Sequence, residues 1–402
     1  MIFSKKSGFY RCIACGLLLC SASLCAQETK MPSRVSLRDD GVMLVNDAPF
    51  YPIATYRDPG DDLADFSGVL EAGFNTTHSY YFEDQSMIHT GSKVLDESLI
   101  TTALRYLKAA HEQGLMVFMG LPRVLVHAGD LDAIREFVNA LKHEPALLVW
   151  YLLDEPSVRK VPPRLMQQVQ TTVTQADPHH PTLVVFSSKV GSYQGGFDIA
   201  GFDHYPIKGS AQRVDGVTRF IHRRKREFSG VFPFWHVVQA HDLSRPQQGQ
   251  THTPSPAQIR SMAFLGIISG ARGTAFYWWP SAWCNILDFP EVWNEIKGIN
   301  SDLEMLSPIL TAQTVMDHEI TLTLSTGKVL PFLIRSHEDE IWIIAANTSN
   351  EKATATLSFP AGRSHSFMGD ALNPARKLLI QNQSCELVLE PLEVCALRFA
   401  DF

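Results

Sequence analysis

The stretch Leu147-Leu148-Val149-Trp150-Tyr151-Leu152-Leu153-Asp154-Glu155-Pro156 decides the architecture of this chain. Its unbroken apolar run reads as a strand covered on both faces, as strands in a parallel sheet are, and Pro156 stops it because proline has no backbone donor. Two adjacent carboxylates, Asp154 and Glu155, stand at its C-terminal end. Further strand-like runs lie at Tyr51 to Tyr56, Asn75 to Tyr80, Leu115 to Leu121, Thr182 to Phe186, Ile199 to Asp203, Phe234 to Gln239 and Thr274 to Trp278. Amphipathic segments separate most of them. Leu99, Leu104, Leu107 and Ala110 recur at helical spacing before Gly114, and Leu131, Ile134, Phe137 and Leu141 do so before Pro145. Strands alternating with helices imply parallel crossover units, and about eight of them in roughly 250 residues predict a (β/α)8 TIM barrel rather than an open doubly wound sheet. No glycine-rich phosphate loop follows the first strand, which lowers the nucleotide-binding alternative.

From about Thr311 the pattern changes to short alternating runs, including Ile320 to Leu324, Val329 to Ile334, Ile341 to Ala346 and Ala353 to Leu357, with turns such as Asn347-Thr348-Ser349-Asn350 between them. This predicts a small C-terminal antiparallel β-sandwich. The expected organisation is a secretion signal over 1–26, a barrel with a short N-terminal β-hairpin (Val35 to Leu37, Gly41 to Val45) over 27–310, and the sandwich over 311–402. The last hairpin is expected to turn at Glu390-Pro391. That would place Cys385 and Cys395 on one face with Leu387, Leu389, Leu397 and Phe399, either as a disulfide or as two buried thiols.

The amino terminus is read apart from the fold. Lys5, Lys6 and Arg11 precede an apolar stretch, Cys12 to Ala26, that is too short for a membrane-spanning helix and gives way to polar Gln27, Glu28 and Lys30. This is the form of a secretory signal, so the expected location is secreted or periplasmic. Lipid attachment at Cys20 is disfavoured by Leu19, which is bulky where a small residue is required. No later stretch is apolar enough to span a membrane. The chain has a formal charge of -7, and loss of the signal removes three more positive charges and no acids. A chain that acidic lacks the basic footprint that nucleic acid requires. The fifteen histidines include no pair at metal-ligand spacing on a common helix, so neither an essential metal nor another cofactor is expected, and no obligate protein partner is evident.

Taken in order, Tyr51-Pro52-Ile53-Ala54-Thr55-Tyr56, Ala72-Gly73-Phe74-Asn75, Trp150 to Pro156, Asp198 to Pro206 and Gly270-Ala271-Arg272-Gly273 resemble bacterial TIM-barrel glycoside hydrolases with a C-terminal β-sandwich. The Asp-Glu-Pro ending of the fourth strand is the most specific element. The resemblance implies an enzyme acting on an oligosaccharide or polysaccharide, and it places Glu155 at the acid/base position of the retaining members. Cleaving a glycosidic bond needs an acid to protonate the leaving oxygen and a second group to stabilise the oxocarbenium-like centre or activate water. Asp154 is expected to orient Glu155 or to raise its proton affinity by like-charge repulsion.

The seventh strand departs from the resemblance. Where the family commonly has a nucleophilic Glu, this chain has Gln239. Asp203 or Asp242 would then supply the second carboxylate, or a substrate 2-acetamido group would attack while Asp154 holds it, or the site would invert through water. Expected sugar contacts at the barrel mouth are Tyr56 and Arg57 after the first strand, His78 and Tyr80 after the second, Tyr205 after the sixth, Gln239, and Trp279 within the Tyr277-Trp278-Trp279 cluster, whose aromatic faces suit pyranose rings. Arg123 is a further mouth candidate, whereas Trp150 lies early on its strand and is expected to pack. A non-catalytic carbohydrate-binding barrel is the alternative function.

Overall fold

The computed structural model describes residues 31–57, 62–84, 97–208, 211–228, 232–242, 253–277, 286–312, 320–360 and 367–400. The proposed secretion segment and Trp278, Trp279, Trp283 and Cys284 lie outside these residues.

Eight parallel strands close into a barrel in chain order: Ile53–Arg57, Thr76–Ser79, Met116–Gly120, Leu147–Asp154, Thr182–Phe186, Ile199–Phe202, Phe234–Gln239 and Thr274–Tyr277. The eighth pairs with the first from Thr274↔Ile53 to Tyr277↔Tyr56, which seals the ring. Helices such as Leu131–Leu141 and Pro163–Ala176 cover the outside. The longest strand is the fourth, and Leu147 to Leu153 are all buried, as a strand walled on both faces requires. Its outer side includes Trp150, whose indole Nε1 donates to Asp177 Oδ2 at 2.8 Å.

The fourth strand does not alternate evenly. Its register slips against the third strand between Leu147 and Val149, and against the fifth between Tyr151 and Leu153. Leu148 and Val149 both join the interior cluster with Tyr151, while Leu152 and Leu153 both join the outer helix-facing core. Each slip inserts one residue and reverses the parity that follows. Simple alternation from Tyr151 would turn Asp154 outward. The bulge at Leu152 turns it inward, to the mouth of the barrel.

The opposite end of the barrel is stoppered by a three-stranded antiparallel sheet, Val35–Leu37, Met43–Val45 and Ala48–Phe50. The expected hairpin is therefore extended by a third strand, turned through Asn46 and Asp47. Both have positive φ (49° and 67°), the backbone of a tight two-residue hairpin turn. Val35 and Met43 pack into the barrel interior, and the Ser33 hydroxyl donates to Leu147 O at 2.7 Å, tying the stopper to the start of the fourth strand.

The last barrel helix, Pro290–Thr311, leads to the C-terminal sandwich. A three-stranded sheet (Thr321–Leu324, Ala353–Ser358, Ser384–Leu389) faces a five-stranded one (Phe332–His337, Glu340–Ala346, Val394–Ala400, Phe367–Asp370, Lys377–Leu379). The expected final hairpin is absent: Ser384–Leu389 and Val394–Ala400 belong to different sheets, joined by an arch through Glu390-Pro391. Both strands alternate apolar residues toward the same core, a pattern that hairpin and arch share, so sequence could not separate them. Cys385 and Cys395 are free, buried thiols in that core. Trp342, Ile344 and Ala396 on the other face of the larger sheet join the core of the barrel helices. The helix Pro256–Ile268 is accordingly buried on nearly every side.

Candidate active site

The C-terminal ends of the barrel strands surround a pocket of about 480 Å³, lined among others by Tyr56, Tyr80, Asp154, Glu155, Asp203, His204, Tyr205, Lys208, His241 and Tyr277. Barrel mouths are where side chains from several strands converge, and here carboxyl groups from the fourth and sixth strands do so.

Asp154 is fixed from both sides. Its Oδ1 accepts from the Tyr151 hydroxyl at 3.0 Å, and its Oδ2 from Arg159 Nη2 at 3.0 Å, while Arg159 Nε donates to the Asp154 carbonyl at 2.7 Å. Burial, and then the nearby Glu83 carboxylate, push the Asp154 carboxyl up from 3.8 to about 6 against the opposing pull of Arg159. Glu155 has a left-handed backbone (φ 46°). Its N–H donates to Val185 O at 2.9 Å, and its carbonyl accepts from Val158 and Arg159 N–H groups at 3.0 Å. The residue is therefore held in a tight turn at a cost of about 1–2 kcal/mol, with its side chain at the pocket. Asp203 continues the sixth strand, and its Oδ1 is buried without a hydrogen-bond partner among the described residues. Burial, then Asp154 and Glu155, push its carboxyl well above the usual carboxylate range, which favours its protonated form.

The walls are aromatic. Tyr56 stacks on Tyr80 at 5.7 Å and Tyr205 on Tyr277 at 6.1 Å, while Tyr277 meets Tyr56 edge-on at 5.7 Å and His241 at 5.0 Å. Burial pushes His241 down to about 4, leaving a neutral ring.

Tyr56, Tyr80, Asp154, Glu155, Asp203 and Tyr205 therefore come together as the sequence suggested, and Trp279 lies outside the described residues. Arg57, His78 and Gln239 stand elsewhere. Arg57 follows inward-facing Tyr56 on its strand, so it points outward, over the Phe66 ring and onto Asp62 O. His78 is fully buried behind the tyrosines, stacked on Phe118, with Nδ1 2.8 Å from Phe118 O and Nε2 2.8 Å from Glu83 Oε1. The Nδ1 contact with the carbonyl is a donation from Nδ1–H, because a carbonyl oxygen can only accept. Gln239 is wholly buried. Its Oε1 accepts from Ile207 N–H and its Nε2 donates to Ile207 O, both at 2.9 Å, with a further donation to His241 O. It clamps the loop after the sixth strand. Arg123 pairs with Glu83 and Asp84 rather than facing the pocket.

Lys208, His204 and His241 were not among the expected contacts, whereas Tyr277, expected within the aromatic cluster that ends the eighth strand, does line the pocket. Glu83 carried no signal: it sits in the short helix Tyr81–Asp84 beyond the second strand.

With this geometry in view, comparison with solved structures is informative. The fold is shared with glycoside hydrolases of several families. A family 5 glycoside hydrolase from Bacteroides vulgatus aligns with a TM-score of 0.62 at 9% identity, over 92% of this chain and 93% of its own. The α-amylase of Geobacillus thermoleovorans, complexed with acarbose, aligns with a TM-score of 0.59 at 14% identity, over 86% of this chain and 98% of its own. A GH30 endoxylanase from Clostridium papyrosolvens aligns with a TM-score of 0.51 at 9% identity, over 92% and 98%. No protein-family model and no curated protein sequence matches the chain.

Proposed function

We propose that this chain hydrolyses O-glycosidic bonds of an oligosaccharide or polysaccharide. The reading is carried by one observation: Asp154, Glu155 and Asp203, from the ends of two barrel strands, meet in a tyrosine-walled pocket where burial raises the proton affinity of Asp203. Glycosidic cleavage needs one carboxyl group that holds a proton and another that does not. In this scheme Asp203 gives its proton to the leaving oxygen as the glycosidic C–O bond breaks. The Glu155 carboxylate then serves the anomeric centre, either by attacking it or by taking a proton from the attacking water. The sequence placed the acid role on Glu155, while the burial of Asp203 favours the reverse. Asp154, held by Tyr151 and Arg159, fixes the turn that presents Glu155. The tyrosine faces seat the sugar rings. Neighbours of the same fold bind acarbose or maltose, which supports a saccharide ligand.

The test is hydrolysis of a broad glycan panel by the wild type, Asp203→Asn and Glu155→Gln. Each substitution should lower the rate about 10²- to 10⁴-fold, the usual worth of a positioned acid or base. Full activity in Asp203→Asn would remove the acid role from that residue. The structural use of Gln239 leaves the end of the seventh strand without a carboxylate, and this favours a second reading, a carbohydrate-binding barrel. Silence of the wild type across the panel with measurable sugar binding would establish it. Residues 1–26 support export, and the mature protein should then begin at Gln27 on N-terminal sequencing.

A further inference from the structure

One wall of the pocket carries the opposite charge to its floor. Lys208 lines the pocket, its side chain is exposed, and no ion pair engages it among the described residues. His204 lines the same wall, and its ring lies face to face on Phe220 at 4.7 Å, with 4° between the planes. The helix Gly216–Lys225 closes on that ring so tightly that a Cβ at Gly216 would stand 3.3 Å from His204 Nε2. This contact brings the helix's charges to the rim. Lys208, Arg219, Arg223 and Arg224 all act on His204, which burial first and these cations second push down to about 4. Residues 204–228 hold seven Lys and Arg against only Asp215 and Glu227, in a chain of net charge -7. Asp215 is taken by Arg213 and Arg219, and Glu227 by Arg224, so among the described residues no acidic partner is found for Lys208 or Arg223.

We propose that the pocket accepts an acidic saccharide, whose carboxylate or sulfate is held at the rim by Lys208 and Arg223. The proposal rests on the glycosidase reading for its substrate class. A neutral glycan gives no reason for unpaired cations beside a site whose floor is acidic. An anionic sugar is repelled by that floor unless counter-charge waits at the rim. Cations placed on one side also orient the chain, because the charged ring must lie over Lys208 while its neighbour meets the carboxyl groups. Lysine suits this role as a compact charge with freely rotating donors.

Calorimetric titration of the full-length Asp203→Asn protein, in which turnover is expected to be slowed about 10²- to 10⁴-fold, tests the proposal. The probes are tetragalacturonate, a sulfated carrageenan tetrasaccharide, and the carboxyl-reduced, neutral form of the first. At least one acidic probe should bind about tenfold tighter than the neutral one at low salt, with the gap narrowing as ionic strength rises. Lys208→Ala with Arg223→Ala should erase that gap by weakening acidic binding, whereas Lys208→Arg should keep most of it. The uronate and sulfate arms distinguish the two sources of charge. Equal binding of acidic and neutral probes, or an acidic preference that survives loss of both cations, would overturn the proposal. Acidic probes that bind through these cations while the wild type is silent across the whole glycan panel would defeat the glycosidase reading and leave this one standing.

Discussion

Asp154→Asn isolates the cost of keeping a charge at the end of the fourth strand. Asp154 titrates at about 6 in the folded protein against 3.8 for an ordinary aspartate, chiefly because it is buried and faces Glu83. That difference is worth roughly 3 kcal/mol in favour of the protonated form. Because the folded value is raised, the stability this group contributes is fully present below pH 3.8 and is lost as pH rises through about 6. The variant does not titrate there. Losing the Tyr151 and Arg159 contacts changes its stability by an amount nearly independent of pH, so the informative quantity is the difference between wild type and variant as a function of pH. Urea denaturation from pH 4 to pH 8 should show the wild type losing roughly 2–3 kcal/mol relative to the variant, most of it between pH 4.5 and 6.5. A difference that stays flat over that range would refute the idea that the site stores unfavourable charge.

Other substitutions probe neighbouring parts of the same construction. Glu83→Gln removes the second-largest influence on Asp154, so the pH range over which Asp154 costs stability should end below about 6; an unmoved range in urea denaturation would detach Glu83 from Asp154. Gln239→Leu leaves the buried Ile207 N–H and C=O unpaired, and denaturation should register a loss of about 2–4 kcal/mol. A cost below about 0.5 kcal/mol would contradict the clamp. Glu155→Gly relieves the left-handed backbone at φ 46°, so it should abolish hydrolysis while stability holds or rises by up to about 1 kcal/mol. A clear loss of stability would mean that the Glu155 side chain supports the fold.

The barrel was legible because its strands are buried on both faces and punctuated by glycine and proline, so their apolar runs stand out without any need for register. Locating the acid strand was equally direct. The direction of each side chain at the mouth was harder to read, because it depends on parity and parity depends on register. Tyr56 and Arg57 are equally plausible sugar contacts in sequence, yet strand alternation sends one into the pocket and the other behind it. Gln239 stands where the glycosidases that the sequence resembles commonly carry a glutamate, but its amide matches the Ile207 backbone so well that its role is structural. Cys385 and Cys395 show the same limit in the sandwich, where one alternating pattern serves a hairpin and an arch alike.

The bulge at Leu152 carries this furthest. Asp154 faces the pocket only because one extra residue interrupts the alternation of the fourth strand. The apolar run conceals that interruption, since a leucine is acceptable on either face of a strand buried on both. An irregular register leaves no trace in composition, yet it decides whether an acidic residue ends as a solvated surface charge or as a buried group titrating near 6. The left-handed turn at Glu155 has a related effect, reversing the chain so that two adjacent carboxyl groups both reach the pocket, where an extended strand would have sent them to opposite sides. Two local departures from ideal strand geometry thus convert a buried β-strand into the presenter of an acidic pair.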